Sequence, residues 1–168
     1  RFTAAMTAGY AALAEAEFER ARDQFEAAAR LQPGAPEPNA ALAELEQART
    51  QARLLSIKAL AERAEREERW QDAITLFKEA LAIDALILYA NEGIARAQPR
   101  ADLDERLDAI VTEKNRLIDR RVLRLAQETL DEAQGVPSPG TRLQRQIVAA
   151  IATIDYATTP VTIQMSSD

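Results

Sequence analysis

Two stretches of the sequence, ERARDQFEAAARLQP at residues 19–33 and QDAITLFKEALAIDA at residues 71–85, share one pattern of small and large apolar side chains. In each stretch an alanine is followed four residues later by phenylalanine, and another alanine follows three residues after that. The two triplets are Ala21, Phe25 and Ala28, and Ala73, Phe77 and Ala80. Intervals of four and three place these side chains on one face of an α-helix. We therefore expect the same helix twice, 52 residues apart, each packed on a neighbouring helix.

The composition favours α-helix and excludes several kinds of catalytic site. Of the 168 residues 47% are apolar, and Ala and Leu supply most of them. These two residues lose little conformational freedom in a helix. Because the chain has no Cys and no His, disulfides, thiolate zinc sites, Cys nucleophiles and imidazole bases are excluded. The net charge of −6 argues against non-specific nucleic-acid binding. We predict a non-enzymatic protein without cofactor, metal site or nucleic-acid partner.

Apolar spacing and helix-breaking residues predict an all-α chain with one long helix. Residues 39–69 contain neither Gly nor Pro, and Asn39 is a suitable N-cap. Gln98 and Pro99 are expected to end the fifth helix, since proline cannot continue the hydrogen-bond ladder. A further helix is expected to start near Asp102. The other predicted helices span about 2–15, 18–31, 70–83, 86–97, 119–134 and 140–156.

The last residues change their periodicity. Val161, Ile163 and Met165 alternate with polar residues, which predicts a strand at 160–165. Such a strand suggests the start of a following β domain, and a disordered tail is the other interpretation. Since the sequence starts at Arg1, we expect a piece of a longer protein. The Ala- and Arg-rich style suggests a soluble domain of a membrane-anchored bacterial protein, periplasmic or cytoplasmic. No apolar run approaches the roughly 18 residues of a membrane helix.

The small and aromatic positions resemble the tetratricopeptide repeat, a helix–turn–helix pattern of about 34 residues. Residues 2–33 match it through Gly9, Ala21, Phe25, Ala28 and Pro33. Residues 54–85 match it again, and residues 86–113 resemble a degenerate copy with Gly93 at the small site. The resemblance implies a short right-handed solenoid of helical repeats over residues 1–113. A C-terminal helical hairpin at 114–157 would pack on the array, with 158–168 as a tail.

The resemblance also implies a binding groove lined by the first helix of each repeat. That groove would receive a peptide or a helix of a protein partner. The alternative is that these side chains pack against a neighbouring helix or another part of the parent chain. The lining residues implied by position are Met6, Tyr10, Leu13, Lys58, Glu62, Glu65, Arg66, Ala90 and Ile94.

Two charged clusters are candidate sites. Arg116, Arg120 and Arg124 recur every four residues with Arg121 beside them, which suggests a basic strip on one helix face that binds phosphate or an acidic peptide. The alternative is a solvated face. The densest acidic cluster consists of Asp102, Asp104, Glu105 and Asp108. Its carboxylates would suit a helix start, where they favour the positive end of the helix dipole.

Three functional hypotheses follow. The first is a scaffold module that binds a protein partner as part of a larger protein. The second is self-assembly into homo-oligomers through the long helix or the ends of the array, because unpaired terminal repeats expose apolar surface. The third is a hydrolase or enzyme accessory that uses Asp104 and Asp108.

Overall fold

The protein is all-α, as the sequence predicts. A computed structural model describes residues 1–159, which form seven α-helices and one 3₁₀ helix. The predicted strand at 160–165 lies outside the described residues. The α-helices are α1 (Phe2–Ala14), α2 (Phe18–Leu31), α3 (Pro36–Arg66), α4 (Trp70–Ile83), α5 (Leu88–Thr112), α6 (Arg120–Gln134) and α7 (Thr141–Thr158), with the 3₁₀ helix at Lys114–Ile118.

The chain divides into two compact units, Arg1–Ala59 and Leu60–Asp168, the second described as far as residue 159. This division differs from the predicted boundary between residues 113 and 114. The packing is continuous there, because Leu103, Leu107 and Ile110 of α5 share one core with α6 and α7.

The core of the first unit lies around Phe25, which is fully buried. Ala12 of α1, Ala21 of α2, and Ala41 and Leu45 of α3 belong to the same cluster. The backbone of α1 comes so close that a methyl group at Gly9 would overlap the Phe25 ring. The predicted role of small residues at the helix crossing is thus filled here by glycine as well as alanine.

The second unit repeats this arrangement at Phe77, which is 1% exposed. A methyl group at Gly93 of α5 would overlap the Phe77 ring. Tyr89 meets the same ring edge-on, with centroids 6.5 Å apart. The two phenylalanine stripes therefore face cores, as the sequence predicts.

The turns after α1 and α3 have the same backbone geometry. Ala16 has φ 58° and Glu68 has φ 55°, both in the left-handed region. The amide of Glu17 donates to the Ala12 carbonyl (2.9 Å), and the amide of Arg69 donates to the Ala64 carbonyl (2.8 Å). These are the six-residue hydrogen bonds of a Schellman motif, which satisfy carbonyls left open at a helix end.

The long helix is shifted from its predicted range of 39–69 to Pro36–Arg66. Pro36 and Pro38 both lie in its first turn, where backbone amides have no partner within the helix, so proline is tolerated. Asn39 therefore lies inside the helix and does not cap it. The left-handed residue Glu68 ends it earlier than predicted.

The predicted break at Pro99 is wrong, because α5 continues from Leu88 to Thr112 with Pro99 inside it. Proline leaves the Ala95 carbonyl without its helical donor. Ala95 and Pro99 are both exposed, so water can hydrate that carbonyl. On the opposite side, buried Ala97 and Ala101 hold the helix against Ile74 of α4.

Burial recurs along the chain at fixed intervals. Nine buried residues of the first unit have a buried counterpart 52 residues later: Ala5 and Ile57, Gly9 and Ala61, Ala12 and Ala64, Ala21 and Ala73, Phe25 and Phe77, Ala28 and Ala80, Pro38 and Ala90, Ala41 and Gly93, Leu45 and Ala97. Buried residues recur again after 53 more: Ile57 and Ile110, Ala64 and Leu117, Ala73 and Ala126, Ala80 and Ala133, Ala90 and Leu143, Ala97 and Ala150. Leu130 stands at the position of Phe77 and packs, partly buried, on the C-terminal core.

Candidate partner-binding site

An open apolar groove lies between the end of α5, the 3₁₀ helix and α6. Its volume is about 450 Å³. Leu125 of α6 is 57% exposed, whereas the groove residues Ile110, Leu117 and Ala126 are buried. Apolar side chains on its surface are Ile110, Leu117, Val122, Leu125 and Ala126.

Charged side chains surround this groove and are paired across it or along its edges. Arg106 of α5 and Glu132 of α6 form an ion pair of 2.7 Å. Arg116 pairs with Glu113. The loosest pair joins Arg124 to Glu128 at 3.8 Å, with both side chains exposed. The groove therefore has an apolar floor and a mixed charged rim, as interfaces that bind a partner do.

Thr129 is a polar residue buried in the groove wall. Its hydroxyl donates a hydrogen bond to the Leu125 carbonyl at 2.9 Å. A buried hydroxyl that has a partner adds little cost to an apolar surface. Thr129 therefore does not prevent the groove from burying apolar side chains of a ligand.

A polar network on the other side of α5 fixes α7. Glu68 is 8% exposed, and its carboxylate accepts hydrogen bonds from the amides of Arg142 (2.6 Å) and Leu143 (3.4 Å). These amides lie in the first turn of α7, where helical amides lack a partner. Gly140 precedes them, and a methyl group there would overlap the Glu68 carboxylate. Glu68, which lies in the turn before α4, thus caps the N-terminus of α7 with its side chain.

Arg142 continues the network with its side chain. Its guanidinium donates to both carboxylate oxygens of Asp104, at 2.5 and 2.8 Å, and to Asp108 at 3.1 Å. The Asp104 hydrogen bonds, followed by the nearby charges, raise the pKa of Arg142 above its ordinary value. Gln146 donates to Asp104 at 2.9 Å and to Asp108 at 2.8 Å.

The acidic cluster therefore has a different setting from the predicted one. Asp104 and Asp108 lie in the second half of α5 and not at a helix start. Both are used to bind α7, since a bidentate guanidinium–carboxylate pair fixes geometry as well as charge. Within residues 1–159, no set of three or more acidic residues is arranged to hold a metal ion.

The residues predicted to line the groove of the repeat array are divided between the two units. Met6, Tyr10, Leu13 and Lys58 belong to the first unit, and Glu62, Glu65, Arg66, Ala90 and Ile94 to the second. In the first unit, Met6 and Leu13 pack partly buried against the core around Phe25. The Tyr10 ring meets Phe25 edge-on, with centroids 5.1 Å apart, and is 42% exposed.

In the second unit these predicted residues range from fully buried to exposed. Ala90 is fully buried, so its side chain is closed to a ligand. Glu65 forms an ion pair with Arg96 at 3.3 Å. Ile94 is partly buried and Arg66 is exposed.

The basic strip does not lie on one helix. Arg116 is in the 3₁₀ helix, and Arg120 is the first residue of α6. Between them, the Asp119 carboxylate caps α6 by accepting from the Arg121 amide at 2.7 Å. The predicted single helix face is therefore wrong, because the chain turns at Asp119.

Neither the groove nor the Glu68 cap was predicted from the sequence. Val122 and Leu125, which line the groove, were visible only as part of the apolar pattern of α6. Glu68 and Arg142 are 74 residues apart, and no local pattern links them. In the described part of the chain, no helix is long and apolar enough to span a membrane. Scans of family models and searches among curated proteins and solved structures found no match to this chain.

Proposed function

We propose that the chain consists of three copies of a tetratricopeptide-like helical unit, arranged as a right-handed solenoid. The recurrence of buried positions after 52 and then 53 residues supports this architecture. The repeated left-handed residues Ala16 and Glu68 support it at the level of the backbone. In this proposal α3 and α5 each end one copy and start the next, so that each copy buries the apolar face of its neighbour.

The function we propose is that of a non-enzymatic scaffold that binds a protein partner. The observation that carries it is the groove of about 450 Å³ beside α6. An exposed leucine, small Ala126 and a charged rim suit the side chains of a helix or peptide better than a reacting substrate. Of the residues predicted to line the groove of the repeat array, Tyr10 and Glu62 remain proposed contacts, whereas buried Ala90 does not.

The test is capture by the immobilised chain from an extract of the source organism. Wild type is compared with Leu125→Arg, which places a charge in the groove, and with Tyr10→Ala and Glu62→Ala. We expect one protein to be captured saturably by the wild type and lost with Leu125→Arg. Circular dichroism of each variant confirms that the helices are intact. Equal capture by all four proteins, or no saturable capture, would refute a partner-binding role of these residues.

Self-assembly is the second candidate, and α7 provides its observation. Val148 and Tyr156 are 68% and 81% exposed and lie on the same side of that helix. Exposed apolar side chains at the end of a helical array favour docking of another copy. Light scattering over a concentration series tests this candidate. A particle that stays monomeric at the highest concentration would exclude it.

A further inference from the structure

Because buried positions recur along the chain, the groove residues can be compared with the residues at equivalent positions earlier in the sequence. Aligned on the buried stripes, residues 17 and 20, 69 and 72, and 122 and 125 occupy equivalent positions. In the first set, Glu17 and Arg20 form an ion pair of 2.7 Å. In the second set, Arg69 and Asp72 form one of 2.5 Å.

The third set breaks this pattern, because it holds Val122 and Leu125. Leu125 is 57% exposed, and both residues line the groove. Val122 is partly buried and packs on the C-terminal core, which accounts for its apolar side chain. Leu125 is the solvent-facing member of the pair. Its position holds Arg20 and Asp72 in the first two sets, and packing of the core does not explain a leucine there. Leu125 therefore points to a surface that is covered by something other than water.

The stripe beside the groove has the spacing of a helix-binding face. Val122, Leu125, Ala126 and Thr129 follow one another at i, i+3, i+4 and i+7. Two turns of such a stripe match two turns of an apolar stripe on a second helix. Ala126 in the middle is small, which allows the two helix backbones to approach closely.

The charges at the rim of the groove indicate the sign of the charge that its partner carries. Three carboxylates, those of Glu113, Glu128 and Glu132, line the groove together with the guanidinium groups of Arg106 and Arg116. Arg106 and Arg116 are already paired with Glu132 and Glu113. Within residues 1–159, the one ion pair of Glu128 is the long contact to Arg124 at 3.8 Å. The whole chain has a net charge of −6, which attracts a basic partner over a longer range.

We infer that the groove binds an amphipathic α-helix of another protein, with apolar side chains on the Val122–Leu125–Thr129 stripe and a basic residue opposite Glu128. This inference rests on the proposed function, since it names the chemistry of the partner for the same groove. The helix belongs to a partner chain and is anchored by at least two apolar side chains one turn apart.

The probe is a fluorescein-labelled peptide of about 15 residues, a length at which an isolated helix becomes stable enough to test. It consists of Leu, Ala and Lys, with leucines at i, i+3, i+4 and i+7. One control peptide replaces Lys by Glu, and another has the leucines distributed around the helix. Anisotropy titrations give the dissociation constants. We expect the Lys peptide to bind the wild type about tenfold more tightly than either control.

Three variants of the full chain locate the binding. Leu125→Arg gives the third set of positions the charge that Arg20 provides in the first set, and is expected to weaken binding of the Lys peptide about tenfold. The Glu128 side chain is exposed, so Glu128→Lys should leave the fold intact. It should reverse the preference of the groove from the Lys peptide to the Glu peptide. Leu31→Arg changes the last residue of α2, a leucine that is 50% exposed and does not line the groove, and should leave binding unchanged.

Equal affinity of the wild type for the three peptides would overturn the inference, and so would unchanged binding by both Leu125→Arg and Glu128→Lys. A wild-type dimer that Leu125→Arg dissociates would also overturn it, because the occupant of the groove would then be a second copy of this chain. If peptides fail while protein capture still depends on Leu125, the basic helix is wrong and the scaffold function stands. If no protein is captured, the scaffold function fails whatever the peptides do.

Discussion

At the scale of single residues, Gly9 and Gly93 are required by the rings against which they pack. Glycine inside a helix costs about 1 kcal/mol relative to alanine, so alanine would be preferred on propensity alone. At both sites a methyl group would overlap a buried phenylalanine ring. The phenylalanine stripe and the glycine on the next helix are therefore two parts of one contact.

Gly93→Ala is expected to lower the free energy of unfolding by about 1–3 kcal/mol, because a buried ring has to move to make room. Gly135→Ala is the matched control. A methyl group there would lie 3.4 Å from the nearest atom, the Glu132 carbonyl oxygen, which is ordinary contact. Urea denaturation followed by circular dichroism measures both. A neutral or stabilising Gly93→Ala would contradict the close packing on Phe77.

The left-handed residues Ala16 and Glu68 allow a matched comparison 52 residues apart. Side chains with a β-carbon are disfavoured in this region by about 1–2 kcal/mol, and glycine removes that cost at some entropic expense. Ala16→Gly is therefore expected to stabilise the protein by about 0.5–1 kcal/mol. Its backbone amide and its neighbours keep their hydrogen bonds.

Glu68→Gly relieves the same backbone strain and yet is expected to destabilise the protein by about 2 kcal/mol. It removes the carboxylate that accepts the Arg142 and Leu143 amides, and charged caps of buried amides are costly to lose. Urea midpoints of the two glycine variants should move in opposite directions. Hydrogen exchange should rise at the start of α7 with Glu68→Gly only. A shift in the same direction for both would show that Glu68 does not cap α7.

At the scale of helices, α2 and α4 begin and end where the sequence predicts. Their boundaries are set locally, by the stripe and by the turns that precede them. The course of α5 was not predictable in this way, because Pro99 alone indicates a helix end. What keeps α5 continuous is tertiary: Ala97 and Ala101 pack on Ile74, while Ala95, whose carbonyl lacks its helical donor, is exposed.

Pro99→Ala tests that account. The substitution restores a donor to the Ala95 carbonyl and removes the poorest helix former from an exposed position, so stability should rise by about 1–3 kcal/mol. Gln98→Ala, on the neighbouring exposed position, serves as control and should change stability by less than about 0.5 kcal/mol. Thermal and urea denaturation of both variants give the comparison. No gain from Pro99→Ala would show that the helix is bent at Pro99 in a way that packing requires.

At the scale of the whole molecule, the third set of recurring positions could not be recognised from the sequence alone. Its stripe has Leu130 where the others have phenylalanine, and Lys114 stands where Gly9 and Ala61 stand. Burial identifies it through Ala126, Ala133 and Ala150. In this set the groove residues Val122 and Leu125 stand where the first two sets have the ion pairs Glu17–Arg20 and Arg69–Asp72.

If the buried positions recur because the chain is a repeat, one whole period should be removable. Deleting residues 50–101 joins Arg49 to Asp102, which stand 53 positions apart and are separated by a single 52-residue copy. In the shortened chain, Asp102 takes the place of Thr50, so the stripes before and after the junction keep their register. We expect a helical protein that unfolds cooperatively in urea, less stable than the parent because Glu68 and its cap of α7 are lost.

A deletion of residues 52–101 differs by only two residues and removes almost the same contacts. It places Asp102 two positions further along the helix, which turns Leu103, Leu107 and Ile110 by about 200° relative to Ala41 and Leu45. That chain should lose cooperative unfolding and gain exposed apolar surface, seen as dye binding and broadened amide spectra. Since composition and size are nearly equal, the contrast isolates register. Two deletions that fold equally well, or that both fail to fold, would mean that the 52-residue period is a coincidence of burial.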